Sequence, residues 1–350
     1  MNPEIRIGER AVGPGHPVYV IAEAGSNHDR NMEQAKRLVD VAVEAGADAV
    51  KFQTFQAEKI ATRAKVKIQY LEDLGLSIEE MQDLYRPLEL PREWHAELAD
   101  YAIRQGIDFL STPFDEEAVD LLDSIGVKAF KIASFELWHL PLIRHAASKG
   151  KPMLLSTGMA NLGDIEDALE AVRAEDNDQV ALLHCAISYP VRFQDVNLRA
   201  MRTMQQAFGV PVGLSDHTAG IAVPTAATAL GASIIEKHFT LDRTLPGPDH
   251  PFAVEPDELA AMVRAIRETE QALGSPTKTY TPAEEEYRLQ GRRSIHAVRD
   301  IPKGTVITRD MVAILRPGTG LLPKFLDIVV GRRAATDIAA HEPITWERLA

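Results

Sequence analysis

The chain has 350 residues, 45% hydrophobic and 25% charged, which is long enough for one large domain and a small one and matches ordinary globular composition. Its formal net charge of −13 excludes a general nucleic-acid binder, because phosphate backbones need a basic face. A single cysteine, Cys185, excludes an internal disulfide framework and a cysteine-built zinc cage.

The N-terminal stretch MNPEIRIGERAVGPGHPVYVIAEAG has no basic run leading into an apolar one, and no segment of about 18 apolar residues occurs anywhere. Neither secretion nor a membrane span is expected, and a reduced cytoplasm is the expected compartment. From residue 17 to about 273, short runs rich in Val, Ile and Ala alternate with longer amphipathic stretches. The predicted strands are Val18 to Ala24, Ala49 to Gln53, Asp108 to Ser111, Ala129 to Ile132, Met153 to Ser156, Val180 to His184, Val212 to Ser215 and Ile234 to His238. The predicted helices are Met32 to Glu44, Arg92 to Gln105, Glu116 to Ser124, Leu140 to Lys149, Asp164 to Arg173, Leu198 to Phe208, Ala222 to Leu230 and Pro256 to Leu273.

Strands that are apolar in both directions, each followed by a covering helix, suit a parallel sheet with both faces buried. Eight such units predict an α/β fold, a (β/α)8 TIM barrel. A doubly wound open sheet is the alternative, but no G-x-G-x-x-G turn follows the first strand. The barrel is assigned to residues 1–280. Gly274-Ser-Pro-Thr-Lys and the charged run at Glu284 read as a linker, placed at 281–290. Residues 291–350 change style, with Pro or Gly every few residues, and predict a small loop-rich domain. They carry 10 Lys and Arg against 6 Asp and Glu, leaving 28 against 45 in residues 1–290, so an anionic substrate would need a local basic pocket in an acidic body.

In such a barrel the active site is built from the C-terminal ends of the strands and the loops that follow. Polar residues gather there: Glu23 with Asn27 and His28, Lys51 and Gln53, Ser111 and Thr112, Lys131 with Ser134 and Glu136, Ser156 and Thr157, Ser188 and Tyr189, Ser215-Asp216-His217, and Glu236 with His238. His217 and His238 end neighbouring strands, and two imidazoles beside oxygen donors such as Glu236 or Asp249 make an open site for a divalent cation. The competing reading is a pair of hydrogen-bonded core histidines. Lys51 and Lys131 end the second and fourth strands, where they could hold phosphate or carboxylate together with the nearby hydroxyls. They could instead serve as a Schiff-base lysine or as internal ion pairs with Glu23 or Glu136. Cys185 reads as a small buried hydrophobe, and Asn27 and His28 as possible caps of the helix starting at Met32.

At these motifs the chain resembles a known family. Ile21-Ala-Glu-Ala-Gly-Ser-Asn-His28, Lys51-Phe-Gln-Thr-Phe55, Ser111-Thr-Pro-Phe114, Lys131-Ile-Ala-Ser-Phe-Glu136, Leu155-Ser-Thr-Gly-Met159, Gly213-Leu-Ser-Asp-His-Thr218, Glu236-Lys-His-Phe-Thr240 and Pro246-Gly-Pro-Asp-His250 are together similar to the N-acetylneuraminate (sialic acid) synthase family. Ile301-Pro-Lys-Gly-Thr and Arg316-Pro-Gly resemble its C-terminal antifreeze-like (SAF) domain. The resemblance spans nearly the whole chain, in order.

It implies condensation of phosphoenolpyruvate with N-acetylmannosamine, or a related acetamido-hexose, to a nine-carbon 2-keto acid and phosphate, with Mn2+ or another divalent cation such as Mg2+. It implies His217 and His238 as metal ligands, and Lys51, Thr112, Lys131, Ser134, Ser156 and Ser215 as phosphoenolpyruvate contacts. Glu23, Gln53, Asp249 and Tyr189 fall where the family holds the sugar or assists the chemistry, and Glu23 and Glu136 are candidates to stabilise positive charge at the former enol carbon. Arg316 matches an arginine delivered by a partner subunit to the acetamido group, which implies a domain-swapped homodimer. One departure stands at Cys185-Ala-Ile-Ser-Tyr-Pro190, where Ala186 and Ile187 occupy positions that are polar in the family. Ser188 could compensate through a change of register. A Schiff-base keto-acid aldolase and a non-catalytic sugar-binding relative are the competing functions.

Overall fold

The computed structural model describes residues 2–64 and 80–350, which form two compact units, 1–274 and 275–350. Unit one is built on eight parallel strands: β1 (Tyr19–Gly25), β2 (Ala49–Thr54), β3 (Asp108–Pro113), β4 (Phe130–Ile132), β5 (Met153–Ser156), β6 (Val180–Cys185), β7 (Val212–Asp216) and β8 (Ile234–His238). They are hydrogen-bonded in the order β3-β2-β1-β8-β7-β6-β5-β4, and β3 and β4 pack side by side to complete the ring. The covering helices are α1 (Met32–Glu44), α2 (His95–Gln105), α3 (Glu116–Ser124), α4 (Leu140–Ala147), α5 (Leu162–Arg173), α6 (Ala200–Phe208), α7 (Ala222–Ala229) and α8 (Pro256–Leu273). The parallel barrel predicted from the βα alternation is the architecture found, and strand ends differ from the prediction by at most two residues.

Local chemistry starts and stops these helices. Asn31, not Asn27 or His28, caps α1, its side chain accepting from the amides of Glu33 and Gln34. Asn27 instead donates to Phe239 O at 2.8 Å, and His28 Nδ1 accepts from Arg30 N at 3.0 Å. Asn161 and Asp164 form a reciprocal capping box at α5, and Gly106 and Gly209 end α2 and α6 in left-handed conformation.

Two buried layers result from the strand alternation. Outward residues such as Val50, Phe109, Ile132, Leu155, Leu182 and Ile235 pack against Leu38, Leu98, Ile143, Leu169 and Met262 of the helices. Inside the barrel, Tyr19, Ile21, Ala49, Leu110, Ala129, Leu154, Ala181, Leu183 and Ile234 form a plug with Ile5, Ile7 and Val12. Those last three come from an antiparallel hairpin, Ile5–Ile7 with Arg10–Val12, which covers the end of the barrel where the strands begin.

In unit two, β9 (Ser294–Ala297) pairs antiparallel with β10 (Val312–Leu315), and single bridges such as Ile301 with Ile338 tie the loops together. Its own core contains Ile295, Ile301, Ile307, Val312, Ile338 and Ile344. The stretch read as a linker is helical in part, with Thr281 and Glu284 capping a turn that runs into an exposed helix, Glu285–Gly291. Among the described residues no helix is long and apolar enough to cross a membrane.

Candidate active site at the barrel mouth

The site follows from the plug by counting two. Side chains in a strand alternate faces, so the inward residue after each plug position is two further on. Ile21, Ala49, Leu110, Ala129, Leu154, Leu183 and Ile234 are thus followed by Glu23, Lys51, Thr112, Lys131, Ser156, Cys185 and Glu236. In β7 the lower position is Gly213, where a Cβ would sit 2.3 Å from Ile234 O, and Ser215 follows it. The layer changes from apolar to polar and ionisable around the whole ring at one height. Above it lies a cavity of about 690 Å³.

Thirteen of the fourteen residues given roles by the resemblance line this cavity: Glu23, Lys51, Gln53, Thr112, Lys131, Ser134, Glu136, Ser156, Tyr189, Ser215, His217, His238 and Asp249; of the other strand-end residues Glu236 lines it, and Asn27, His28, Ser111, Thr157, Ser188 and Asp216 do not. Arg316 belongs to unit two, where its Nε donates to Gly291 O at 2.7 Å.

At the floor, four charges interlock. Lys51 Nζ lies 2.7 Å from Glu23 Oε2 and 3.7 Å from Glu236 Oε2, and Lys131 Nζ lies 3.4 Å from Glu236 Oε1. Lys51 and Lys131 are only 2% and 3% exposed, so these are desolvated ammoniums held by carboxylates. The internal ion pair weighed for Lys51 and Glu23 is therefore present. Lys51 also donates to Thr112 Oγ1 at 3.0 Å, Ser215 to Glu236 Oε1 at 2.9 Å, and Gln53 to Glu23 Oε1 at 2.9 Å.

Burial raises Glu23 to about 7, the pull of Lys51 being partly offset by Glu236. Glu236 itself is held below its ordinary value because Lys131 and Lys51 outweigh burial. Burial lowers Lys131, with Glu236 opposing and Lys51 reinforcing it, whereas the two carboxylates raise Lys51 against burial.

Several buried polar atoms beside this tetrad have no hydrogen-bond partner: Ser156 Oγ, Glu136 Oε2 and His238 Nδ1. Unsatisfied buried groups are costly, so their concentration in one cavity marks where a polar ligand belongs. Glu136, its carboxyl raised to about 7 by burial, faces the cavity with no cation beside it among the described residues.

His217 and His238 meet with ring centroids 5.2 Å apart, and Tyr189 stacks edge-on against His217 at 4.9 Å. His217 Nδ1 shares a hydrogen bond with Ala186 O at 3.1 Å, which leaves Nε2 for a ligand. Asp249 Oδ2 approaches His238 Nδ1 to 3.8 Å and accepts from Ser26 Oγ at 3.2 Å. Gly25 makes room for them, since a Cβ there would lie 3.1 Å from Asp249 Oδ2 and 3.4 Å from His238. Among the described residues no cluster of three or more His, Cys, Asp and Glu surrounds one point. Two imidazoles with Asp249 nearby do not make a closed cage, and a divalent cation held there would need further ligands.

Glu236 was read from the sequence only as an oxygen donor near the histidines; it joins the two lysines instead. The two-residue step from Glu236 to His238 on one strand was the available signal. The outer wall was missed: Ile60, Met81, Leu84 and Leu88, together with Phe55, Tyr85 and Phe114, make one side of the cavity apolar. Phe55 and Phe114 follow strand ends and the others sit in short helical pieces, Ala57–Ile60, Met81–Tyr85 and Arg86–Leu88, too short to show a periodicity. Ile187 lines the cavity, with its Cγ1 against Gly158, whereas Ser188 donates to Pro190 O at 3.1 Å and stays outside the lining. No register change brings Ser188 in.

The NeuB family profile matches residues 38–278 and the SAF domain profile matches residues 292–350. The chain belongs to the NeuB family. It is 42% identical over 346 residues to the N,N'-diacetyllegionaminic acid synthase of Legionella pneumophila, covering 98% of this chain and 97% of that one. Among solved structures it is similar to the spore coat polysaccharide biosynthesis protein SpsE of Bacillus subtilis, with 40% identity, TM-score 0.68 and 99% of each chain covered. The N-acetylneuraminic acid synthetase of Leptospira borgpetersenii, solved with citrate, is 35% identical with TM-score 0.72, over 82% of this chain and 95% of that one. This NeuB-family chain thus pairs the family's barrel with a SAF domain, and its relatives include synthases of nonulosonic acids.

Proposed function

We propose that this protein is a nonulosonic acid synthase that condenses phosphoenolpyruvate and water with an acetamido-hexose, giving a 2-keto nonulosonate and phosphate. The observation that carries the reading is the floor of the cavity: two buried lysines, the unpartnered Ser156 hydroxyl, and Thr112, Ser134 and Ser215 around one space. Such a set suits a ligand bearing both phosphate and carboxylate. In the reaction the enol carbon bonds to the aldehyde carbon of the open sugar, water oxygen adds to the neighbouring carbon, and the bond from that carbon to the phosphate oxygen breaks. Lys51 and Lys131 stay charged through these steps and hold the departing phosphate. Glu136, unpaired among the described residues and with a pKa of about 7, would take the proton of the adding water. Glu23, likewise near 7, can exchange a proton with a sugar hydroxyl oriented by Gln53, Tyr189 and Asp249.

His217 and His238 would hold the divalent cation, Mn2+ or Mg2+. When bound, such a cation supplies Lewis-acid polarisation of the aldehyde oxygen. The apolar outer wall favours an acceptor with few hydroxyls, a diacetamido-trideoxyhexose, over N-acetylmannosamine. The protein is further proposed to work in the cytoplasm as a domain-swapped homodimer in which Arg316 of one subunit serves the other's sugar. Arg316→Ala is then expected to raise the KM for the sugar about tenfold or more while leaving that for phosphoenolpyruvate within about twofold; equal rises would end that assignment.

The deciding experiment is phosphate release from phosphoenolpyruvate by chelator-stripped protein, with and without Mn2+, against both sugars, with mass spectrometry of the product. Release that needs metal and one sugar supports the reading and names the acceptor. No release with either, from folded and Mn2+-loaded protein, rejects it, and borohydride trapping with pyruvate would then point to the aldolase.

A further inference from the structure

Behind the two histidines, on the opposite face of their strands, lies a second buried ion pair that the chemistry above does not use. β7 and β8 pair with Glu236 opposite Ser215 and Lys237 opposite Asp216. Because Ser215 and Glu236 face the cavity, Asp216 and Lys237 face away from it toward the helix layer. Lys237 is 1% exposed. Its Nζ donates to Asp216 Oδ2 at 2.6 Å and also to Thr218 O. Asp216 in turn accepts from Thr218 N at 3.0 Å and from Thr218 Oγ1 at 3.0 Å.

His217 is thus the middle residue of a three-residue segment, Asp216 to Thr218, whose two flanks are clamped by one ammonium. That ammonium belongs to the residue immediately before His238. One side chain therefore links the backbone bearing the first imidazole to the backbone bearing the second. An apolar pair would cover the same face at least as stably, since desolvating two charges costs about as much as their attraction returns. What an apolar pair lacks is direction: Val191 N donates to His217 O at 3.0 Å on one side, and the charged pair with its carbonyl and hydroxyl partners specifies where the segment after β7 sits relative to the end of β8.

We propose that Lys237, through Asp216 and Thr218, is a positioning residue that sets the spacing and aim of His217 and His238 for a divalent cation. The proposal rests on the metal reading above. The test is Mn2+ titration of the full chain, free Mn2+ being read by its electron paramagnetic resonance signal, for wild type, His238→Ala and the double variant Asp216→Asn/Lys237→Met. The double variant is used because Lys237→Met alone strands a buried carboxylate and can fail to fold. It removes both charges while the asparagine oxygen keeps its bond from Thr218 N.

The expected result is a double variant that melts cooperatively but binds Mn2+ about 10- to 100-fold more weakly. Its turnover at limiting Mn2+ should fall in proportion and recover at saturating Mn2+, which a loss of fold stability alone would not produce. A folded double variant with wild-type Mn2+ affinity overturns the positioning role and leaves the metal reading standing. No Mn2+ binding by wild type, or equal binding by His238→Ala, overturns both.

Discussion

The two ends of the barrel are made from the same eight strands, yet they treat polar groups in opposite ways. Where the strands begin, Asp48 accepts from Val20 N at 2.7 Å, from Arg267 Nη2 at 2.7 Å and from Arg10, and Tyr19 Oη donates to Asp108 at 2.8 Å. The hairpin seals the interior there, and none of the unpartnered buried atoms among the described residues lies at that end. Where the strands finish, Ser156, Glu136 and His238 leave buried atoms unmatched beside a four-charge cluster. One end spends its polar groups on itself, and the other holds them ready for a ligand. The structural end should therefore respond to substitution in stability, and the open end in turnover.

The largest separation is expected at Lys131. Lys131→Met should lower turnover about 1,000-fold or more but leaves Glu23 and Glu236 sharing Lys51 alone, so the double variant Lys131→Met/Glu236→Gln, which removes one charge of each sign, is the one expected to melt near wild type while staying as inactive. Loss of the fold in that variant would count against the division. Asp48→Ala is the converse: it leaves Arg10 and Arg267 facing each other and Val20 N unpaired, for a loss of about 3 kcal/mol in denaturant unfolding with kcat and KM unchanged at 25 °C.

Glu136 gives the comparison a pH axis. Its carboxyl is raised to about 7 in the folded chain, so the native state binds the extra proton and wild type loses stability as pH climbs from about 4.5 through 7. Glu136→Gln escapes that loss, and its melting temperature should gain on wild type between pH 5 and pH 8 by an amount worth about 2 kcal/mol. A constant difference across that range would mean the carboxyl is solvated. The smallest effect belongs to Ser156→Ala: having no hydrogen bond to lose, the variant should melt within about 0.5 kcal/mol of wild type while its KM for phosphoenolpyruvate rises five- to tenfold.

Much of the fold was legible because strand and helix periods are local properties. The eight apolar runs and their intervening amphipathic stretches mark the barrel before any contact is known. Lys51, Lys131 and the two histidines were legible as well, since each sits where a run of apolar residues breaks into polar ones. The outer wall of Ile60, Met81, Leu84 and Leu88 was not, because helical pieces of only three to five residues are too short to show a period and their neighbours are chosen by packing alone. Ser188 illustrates the same limit: a hydroxyl in the right place along the chain turns to its own backbone rather than into the cavity.

The amino-acid sequence by itself determined the order of elements, the two-domain division of style and which residues could carry charge into the barrel, because alternation along a strand settles which face each side chain takes. Only the tertiary structure decided which charges meet. Glu236 joins Lys51 and Lys131, Lys237 turns its back on the site to clamp Asp216, and Glu136 meets no cation among the described residues, because closing eight strands into a ring pairs residues from different strands and no local pattern records that pairing.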